Sequence, residues 1–184
     1  MNTTEAVKTK EDINTVSHLL RKYGGELYSD IWNVGINVSL RISDLLNIKF
    51  SDLDIEKRFL QLKEQKTGKY KEIRLNQKVI DVIERRMNEF TDDEYLFTVH
   101  SNRASGKAVS RQMVARKFKE VGETMSIALS THSMRKSRGF AMWNDNVSIE
   151  MISKVLNHSS PAVTMSYLGI TRDEILETYD EYQL

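Results

Sequence analysis

The chain contains no cysteine among its 184 residues. This absence excludes a disulfide framework, a thiolate zinc site, an iron–sulfur cluster and a cysteine nucleophile. Proline occurs once and glycine eight times, so little interrupts the chain and we expect mostly helical structure. No apolar run approaches the roughly 18 residues that a membrane span needs, and the N-terminal MNTTEAVKTKEDINT lacks the apolar core of a signal peptide. We therefore expect a cytoplasmic protein with no membrane partner.

Charge is spread unevenly along the chain, although the net charge is only +1. Six basic residues and no acidic residue lie between Arg103 and Lys119, and ten basic against four acidic residues lie between Lys57 and Arg86. From Arg172 to the C-terminus, five acidic residues face one basic residue. Basic stretches of this kind favour a polyanionic partner such as nucleic acid, and a solvated helix face is the alternative.

Length and hydrophobic spacing predict a single domain over residues 1–184, of class α+β and mostly helical, with disorder over residues 1–10. Alternating residues at 59–63 and 72–75 flank a turn at residues 66–69 and predict a small antiparallel β-hairpin with a basic tip. The segment between residues 90 and 109 carries no clear pattern. Helices are predicted at 12–23, 26–38, after Ser43, and near 77–90, 109–121, 133–144, 148–157, 161–168 and 172–181.

Two segments carry arginines that can belong to a site, and the first of them suits a phosphate. In THSMRKSR, His132 and Arg135 are three residues apart, so on a helix they share a face. The guanidinium can bond two phosphate oxygens while the imidazole donates or moves a proton. In SLRISD, Arg41 is flanked by apolar residues and precedes Asp44, which can orient it. Taken alone, each segment also fits surface, capping or ion-pair roles.

A third segment, VLNHSSPAVTMSY, combines a histidine with a tyrosine. Ser160 and Pro161 suit the N-cap and the first position of a new helix. On one continuous helix His158 and Tyr167 would point to opposite sides, because they are nine residues apart. A turn between them brings both to one pocket, and a capping histidine with a core tyrosine is the alternative.

Motifs for other chemistries are absent. The four histidines are far apart, and none has a carboxylate or a second histidine at metal-ligand spacing. The phosphate-binding GxxxxGK[ST] and GxGxxG motifs and the serine-hydrolase motif GxSxG do not occur. We therefore expect no metal and no nucleotide cofactor.

These segments, in this order, resemble the tyrosine recombinases of the phage integrase superfamily over about residues 31–182. SLRISDLLNIKFSDLD resembles the block of the first catalytic arginine, which would be Arg41, with Asp44 at the acidic position. The hairpin LQLKEQKTGKYKEIRL is similar to the lysine hairpin of the family. Lys66 best matches the catalytic lysine there, and Lys69 is the competitor.

The two remaining blocks carry the other positions of the family's active site. THSMRKSRG resembles the H-x-x-R block with His132 and Arg135, and LNHSSPAVTMSYLGI resembles the closing block with His158 and the nucleophile Tyr167. The resemblance implies that His132 accepts a proton near Tyr167 and that His158 holds a phosphate oxygen by a hydrogen bond.

The activity implied by the resemblance is that of a site-specific DNA recombinase or integrase of a mobile element. Tyr167 would attack a DNA phosphodiester and become joined to the 3′ phosphate. Arg41 and Arg135 would stabilise the charge on the non-bridging oxygens, and Lys66 would protonate the leaving 5′ oxygen. Neither a metal ion nor ATP is required in this scheme.

The partners implied by the resemblance are double-stranded DNA, further copies of the chain in a homotetramer on synapsed sites, and host accessory DNA-bending proteins, in a nucleoid-associated location. A helix from Ser110 to Val121 would face the major groove. The residues expected to contact DNA, besides the catalytic ones, are Lys69, Arg111, Arg116 and Lys119. The C-terminal helix or tail at residues 172–184 would dock on a neighbouring protomer or pack on its own domain.

The sequence departs from the family in what precedes the catalytic blocks. Integrases usually carry a helical domain of about a hundred residues there, whereas about 25 residues precede the second predicted helix. The sequence is therefore either part of a longer protein or similar to the small bacterial inversion-type recombinases that lack this domain. A type IB topoisomerase-like activity and a catalytically silent or regulatory DNA-binding protein of the same fold are the alternatives.

Overall fold

The computed structural model describes residues 4–66, 68–90, 93–101, 104–170 and 172–181. The predicted α+β, mostly helical fold with small antiparallel sheets is confirmed. In chain order, the elements are α1 (Lys10–Gly24), α2 (Glu26–Val38), α3 (Ile42–Leu46), β1 (Leu53–Asp54), β2 (Phe59–Lys63), β3 (Tyr70–Arg74), α4 (Gln77–Glu89), β4 (Thr98–Ser101), β5 (Ala104–Ala108), α5 (Arg111–Met125), α6 (Ser133–Asn144), α7 (Ile149–Leu156), α8 (Pro161–Leu168) and α9 (Arg172–Glu181).

Side-chain caps explain where several helices begin. In each case a side-chain oxygen accepts a hydrogen bond from the main-chain N–H three residues further on, which satisfies one of the donors that a helix start leaves without a partner. The capping residues of α1, α4, α5, α7 and α8 are Thr9, Asn76, Ser110, Ser148 and Ser160. Pro161 follows the last of these caps, as the sequence predicts.

Helix α2 lies at the centre of the hydrophobic core and packs against α1, α4 and α6. The Trp32 ring is fully buried and meets Phe118 of α5 edge to face, with ring centroids 5.7 Å apart. A Cβ atom at Gly35 would overlap Met134 of α6, so the absence of a side chain allows close packing of the two helices. This contact fixes α6, which carries Arg135, against the core.

The hairpin of β2 and β3 belongs to a three-stranded antiparallel sheet in the order β1-β2-β3, with β2 at the centre. Lys63 faces Tyr70 and Phe59 faces Arg74, so β3 begins two residues earlier than the alternation predicts. The connecting turn is closed by a hydrogen bond from Glu64 N to Lys69 O at 3.0 Å. Gly68 adopts a φ of 66°, a left-handed conformation that glycine reaches without strain.

The segment near residues 90–109, which has no clear pattern, contains a second antiparallel pair, β4 and β5. Its residues are mostly small or polar and do not alternate, and the register shifts between Val99 and Ser101. The alternation of apolar and polar residues that predicts a half-buried strand is therefore absent from this segment.

Residues 4–9 pack on the domain, whereas the sequence predicts disorder over residues 1–10. The Val7 side chain is fully buried, and its main-chain N–H donates to Ser137 Oγ at 2.7 Å. Lys136 Nζ donates to the main-chain oxygen of Thr4 at 2.9 Å. The one buried apolar side chain of this segment, Val7, anchors it in a stretch that is otherwise mostly polar.

At the other end of the chain, α9 spans the predicted helix, and residues 182–184 of the predicted tail lie outside the described residues. Leu176 and Tyr179 of α9 are exposed. Within the ranges that the structure describes, no helix combines the length and hydrophobicity required to cross a membrane.

Candidate active site

Arg41 lies immediately before α3, in an extended conformation. Its Nη1 donates to Glu64 Oε2 at 3.1 Å, and its Nη2 donates to the main-chain oxygen of Asn157 at 3.4 Å. The Arg41 side chain is 19% exposed, while that of Glu64 is fully buried. Arg41 is therefore held from two sides and keeps one edge accessible.

Asp44 does not orient Arg41 as the sequence suggests. Its Oδ1 accepts a hydrogen bond from the main-chain N–H of Gln65 at 2.9 Å, and so it fixes the hairpin turn instead. The ion-pair partner of Arg41 is Glu64, 23 residues away in sequence. Proximity in sequence favours Asp44 as the partner of Arg41, but the hairpin folds back and brings Glu64 closer to it.

Arg135 is buried where α6 meets the ends of α2 and α7. Its guanidinium donates to the main-chain oxygens of Ser39 and Leu156, the latter at 2.5 Å. Both acceptors follow or end a helix, where carbonyl groups lack partners within the helix. Burial lowers the pKa of Arg135 from its ordinary value, and the neighbouring Tyr167 opposes this effect.

Tyr167 and His158 lie together, because the chain turns between α7 and α8. Asn157 ends α7 with a φ of 50°, a left-handed conformation that asparagine tolerates. The two rings meet edge to face, with centroids 4.9 Å apart. His158 Nδ1 and Thr164 Oγ1 are hydrogen-bonded at 2.9 Å, and Tyr167 Oη donates to the main-chain oxygen of His132 at 3.3 Å. The three blocks predicted from the sequence are thus brought to one place.

The environment of the site keeps its histidines neutral at pH 7. Burial, followed by the charges of Arg135 and Arg41, lowers the pKa of His158 to about 4. Although His132 is exposed as a residue, desolvation of its ring followed by the charge of Arg135 lowers its pKa too. Burial raises the pKa of Tyr167, and Arg135 partly offsets the increase through its charge and a hydrogen bond. A neutral imidazole can accept a proton, and the hydroxyl of Tyr167 remains protonated until a base removes it.

Both candidate lysines line the same cavity of about 360 Å³ as Arg41, Asn157 and His158. Lys66 and Lys69 are exposed on the hairpin turn. This placement brings each of them to the site, and it does not distinguish one from the other.

A third lysine, Lys71, also faces the site, although it is not among the site residues predicted from the sequence. It is half-buried on β3, and its Nζ donates to the main-chain oxygen of Val155 at 2.9 Å. Burial lowers its pKa, while the charge of Glu64 opposes the shift. The alternation of β3 places residues 71 and 73 on the inner face, so register counting from Leu62 would have found it.

The three basic residues predicted on α5 are all exposed, and they differ in their surroundings. Arg111, at the first position of the helix, is close enough for its charge to lower the pKa of His132. Arg116 lies 4.0 Å from a carboxylate oxygen of Glu120, and Lys119 lies 3.8 Å from one of Glu123. Arg111 is therefore at the site, while the other two extend the basic surface along the helix.

The structure adds two polar residues to the site, Glu64 and Asn157. Asn157 Nδ2 donates to Glu64 Oε2, the same oxygen that accepts from Arg41. The sequence gives only a weak indication that Glu64 belongs to the site, because it is one acidic residue in a mainly basic hairpin. Among the residues that the structure describes, no cluster of three or more histidine, aspartate or glutamate side chains is arranged to hold a metal ion.

Comparisons with known proteins identify relatives of the whole arrangement. The model of the phage integrase family matches residues 7–174. The probable integrase/recombinase YoeC of Bacillus subtilis is 30% identical over 181 residues, which is 97% of each chain. The tyrosine recombinase XerA of Pyrococcus furiosus is 30% identical over 145 residues, which cover 79% of this chain and 51% of XerA. This chain thus spans about half the length of XerA.

Among solved structures, the XerH site-specific recombinase bound to a palindromic difH substrate, in a post-cleavage complex, superimposes with a TM-score of 0.73 at 13% identity. The similarity covers 97% of this chain and 53% of XerH. At this identity the superposition shows a shared fold.

Proposed function

The chain belongs to the phage integrase family, and we propose that it is a site-specific DNA recombinase that cuts and rejoins DNA strands through a covalent 3′-phosphotyrosyl intermediate. The observation that carries this proposal is the meeting, at Tyr167, of its own segment with the segment of His132 and Arg135. The His158 ring meets the Tyr167 ring edge to face, the main-chain oxygen of His132 accepts a hydrogen bond from the Tyr167 hydroxyl, and Arg135 interacts with that hydroxyl through its charge and a hydrogen bond.

Tyr167 supplies the nucleophile in this mechanism. Its hydroxyl oxygen attacks the phosphorus of a DNA phosphodiester, forms a bond to the 3′ phosphate and displaces the 5′ oxygen. The raised pKa of Tyr167 means that a base must take the proton as the bond forms. The lowered pKa of His132 leaves its imidazole neutral and able to accept that proton.

Two arginines provide the positive charge that the transition state requires. Arg135 is held by two main-chain oxygens and Arg41 by Glu64 and Asn157, so both guanidinium groups are oriented before DNA binds. Donors fixed in advance stabilise developing negative charge at little reorganisation cost. In this scheme the arginines clamp the non-bridging oxygens and His158 donates a hydrogen bond to one of them.

Lys66 protonates the 5′ oxygen as it leaves. Its exposure on a hairpin turn at the mouth of the cavity allows it to approach a bound duplex. Lys69 shares this position and remains the second candidate. A second DNA end can then attack the phosphotyrosyl bond, so that strands are exchanged with no metal ion and no ATP.

Double-stranded DNA is the substrate in this proposal, and the XerH recombinase, which has a similar fold, was solved with a palindromic difH substrate. Arg111, Arg116 and Lys119 on α5 and Lys69 on the hairpin provide the flanking contacts to phosphates. Strand exchange between two duplexes requires several protomers, which favours a homotetramer on synapsed sites in the nucleoid, with α9 docked on a neighbouring protomer and host DNA-bending proteins assisting. Packing of α9 on its own domain is the alternative.

Incubation with negatively supercoiled plasmid in EDTA, without ATP, tests the proposal. Wild-type protein is expected to relax the plasmid and, after an SDS quench, to remain covalently joined to DNA. Tyr167→Phe is expected to do neither, and Tyr23→Phe, which changes an exposed tyrosine of α1, is expected to behave as the wild type. An adduct that persists in Tyr167→Phe would refute the assignment of the nucleophile.

The same assay separates the alternatives. Relaxation without joining of two plasmid sites would identify a type IB topoisomerase-like activity. DNA binding in a gel shift with no adduct at any protein concentration would favour the catalytically silent, regulatory protein.

A further inference from the structure

The fully buried carboxylate of Glu64 connects three parts of the site. Its Oε2 accepts hydrogen bonds from Arg41 Nη1 at 3.1 Å and from Asn157 Nδ2. Asn157 in turn accepts a hydrogen bond from Arg41 through its main-chain oxygen, at 3.4 Å. One carboxylate oxygen thus joins the hairpin, the residue before α3 and the turn that precedes His158.

The main chain of Glu64 is as firmly held as its side chain. Its N–H donates to Lys69 O at 3.0 Å, and its oxygen accepts from Gly68 N at 2.8 Å. These bonds close the turn on which Lys66 lies. A side chain that starts from a closed turn and ends in a buried ion pair has little freedom to move away from Arg41.

We propose that Glu64, together with Asn157, is a positioning residue that holds the Arg41 guanidinium in the orientation required to clamp the scissile phosphate. The inference rests on the proposed function, because it concerns the phosphate of that reaction. Charged hydrogen bonds from two sides fix the planar guanidinium, and the 19% of the Arg41 side chain that stays exposed provides its free edge.

An inhibitory role is the competing explanation, in which Glu64 occupies Arg41 until a phosphate displaces it. The geometry favours positioning, because the phosphate can approach the exposed edge of Arg41 while the Glu64 side chain is 0% exposed. The two roles predict opposite effects of removing the charge.

The test compares Glu64→Gln with Glu72→Gln, the same substitution at an exposed position of the same hairpin. Wild type and both variants are incubated with a duplex that spans the cleavage site mapped from the plasmid adduct, and adduct formation is followed under single-turnover conditions. We expect Glu64→Gln to form the adduct about 10- to 100-fold more slowly, which is typical of the loss of a residue that orients a functional group. The DNA affinity of Glu64→Gln is expected to match that of the wild type. Glu72→Gln is expected to match the wild type in both DNA affinity and rate of adduct formation.

Modified scissile linkages distinguish positioning of Arg41 from a general structural effect. A methylphosphonate linkage lacks the charged oxygen that Arg41 neutralises, so the defect of Glu64→Gln should shrink to within about threefold of the wild type on that linkage. A 5′-bridging phosphorothiolate, whose leaving group needs no proton, should leave the defect unchanged. Arg41→Ala is expected to show the same pattern.

Several results would overturn the inference. An equal defect of Glu64→Gln on all linkages would indicate a structural role. Rescue by the phosphorothiolate would show that Glu64 acts through Lys66, the donor of the leaving-group proton. Faster cleavage by Glu64→Gln than by the wild type would indicate an inhibitory role. If Glu64→Gln does not fold, as judged by circular dichroism, Asn157→Gly tests the same network, since glycine keeps the φ of 50° and the main-chain oxygen. If the wild type forms the adduct and neither variant shows a defect, the positioning role of Glu64 is refuted and the proposed function stands. If the wild type forms no adduct, the proposed function is refuted as well.

Discussion

Acidification is expected to destabilise the protein through His158. The folded protein lowers the pKa of this residue from 6.5 to about 4. Between these values the unfolded chain binds a proton that the folded chain does not, so the free energy of unfolding falls as the pH falls from 6.5 towards 4. The contribution is fully present above pH 6.5.

The size of this effect follows from the two pKa values. A difference between 6.5 and about 4 corresponds to about 3.4 kcal/mol, at about 1.36 kcal/mol per pH unit. This value is an upper bound, because the side chain is only partly buried and solvent screens the charge. We therefore expect about 1–3 kcal/mol to be lost between pH 7 and pH 4 on account of this residue.

Urea denaturation at pH 7, 6, 5 and 4.5 measures the effect, with His158→Gln as the variant and His18→Gln, on the exposed face of α1, as its control. The stability of His158→Gln should depend less steeply on pH than that of the wild type, while His18→Gln should follow the wild type. Nuclear magnetic resonance of the imidazole protons provides the pKa directly. A His158 ring that titrates near 6.5, or a variant as sensitive to acid as the wild type, would refute the reasoning.

Two further predictions concern the cations of the site. Arg135→Met leaves two buried main-chain oxygens without their donor, and the free energy of unfolding should fall by about 2–4 kcal/mol in urea denaturation; an unchanged midpoint would contradict the structural role of Arg135. Lys66→Ala should slow adduct formation by about 10²- to 10⁴-fold on ordinary DNA and much less on 5′-bridging phosphorothiolate DNA, whereas Lys69→Ala should mainly weaken DNA binding. The reverse pattern would assign the leaving-group proton to Lys69.

Local structure was largely predictable because local signals determine it. The helix predicted at residues 12–23 follows from hydrophobic spacing, and that at 161–168 follows from a serine cap and the proline after it. The hairpin follows from alternation, with an error of two residues at the start of β3. Where small and polar residues form strands, as in β4 and β5, no periodicity exists and the sequence gives no prediction.

Contacts between distant segments set the limit of sequence reasoning. The pair of Arg41 with Glu64 and the buried position of Val7 depend on how the hairpin and the N-terminal segment fold back on the core. Spacing along the chain favours near neighbours, so it selected Asp44 as the partner of Arg41. A carboxylate in a basic hairpin becomes informative only when the hairpin is placed beside the arginine.

The electrostatics of the site explain how the same histidine can serve the free protein and the DNA complex. Burial, followed by the charges of Arg135 and Arg41, lowers the pKa of His158, so in the free protein its ring is neutral and packs edge to face on Tyr167. A phosphate bound beside Arg41 brings negative charge to the cavity that His158 lines, and an opposite charge at close range favours a protonated imidazole. In the proposed mechanism, binding of the DNA backbone would therefore convert a neutral packing group into a charged donor to the phosphate, next to Tyr167.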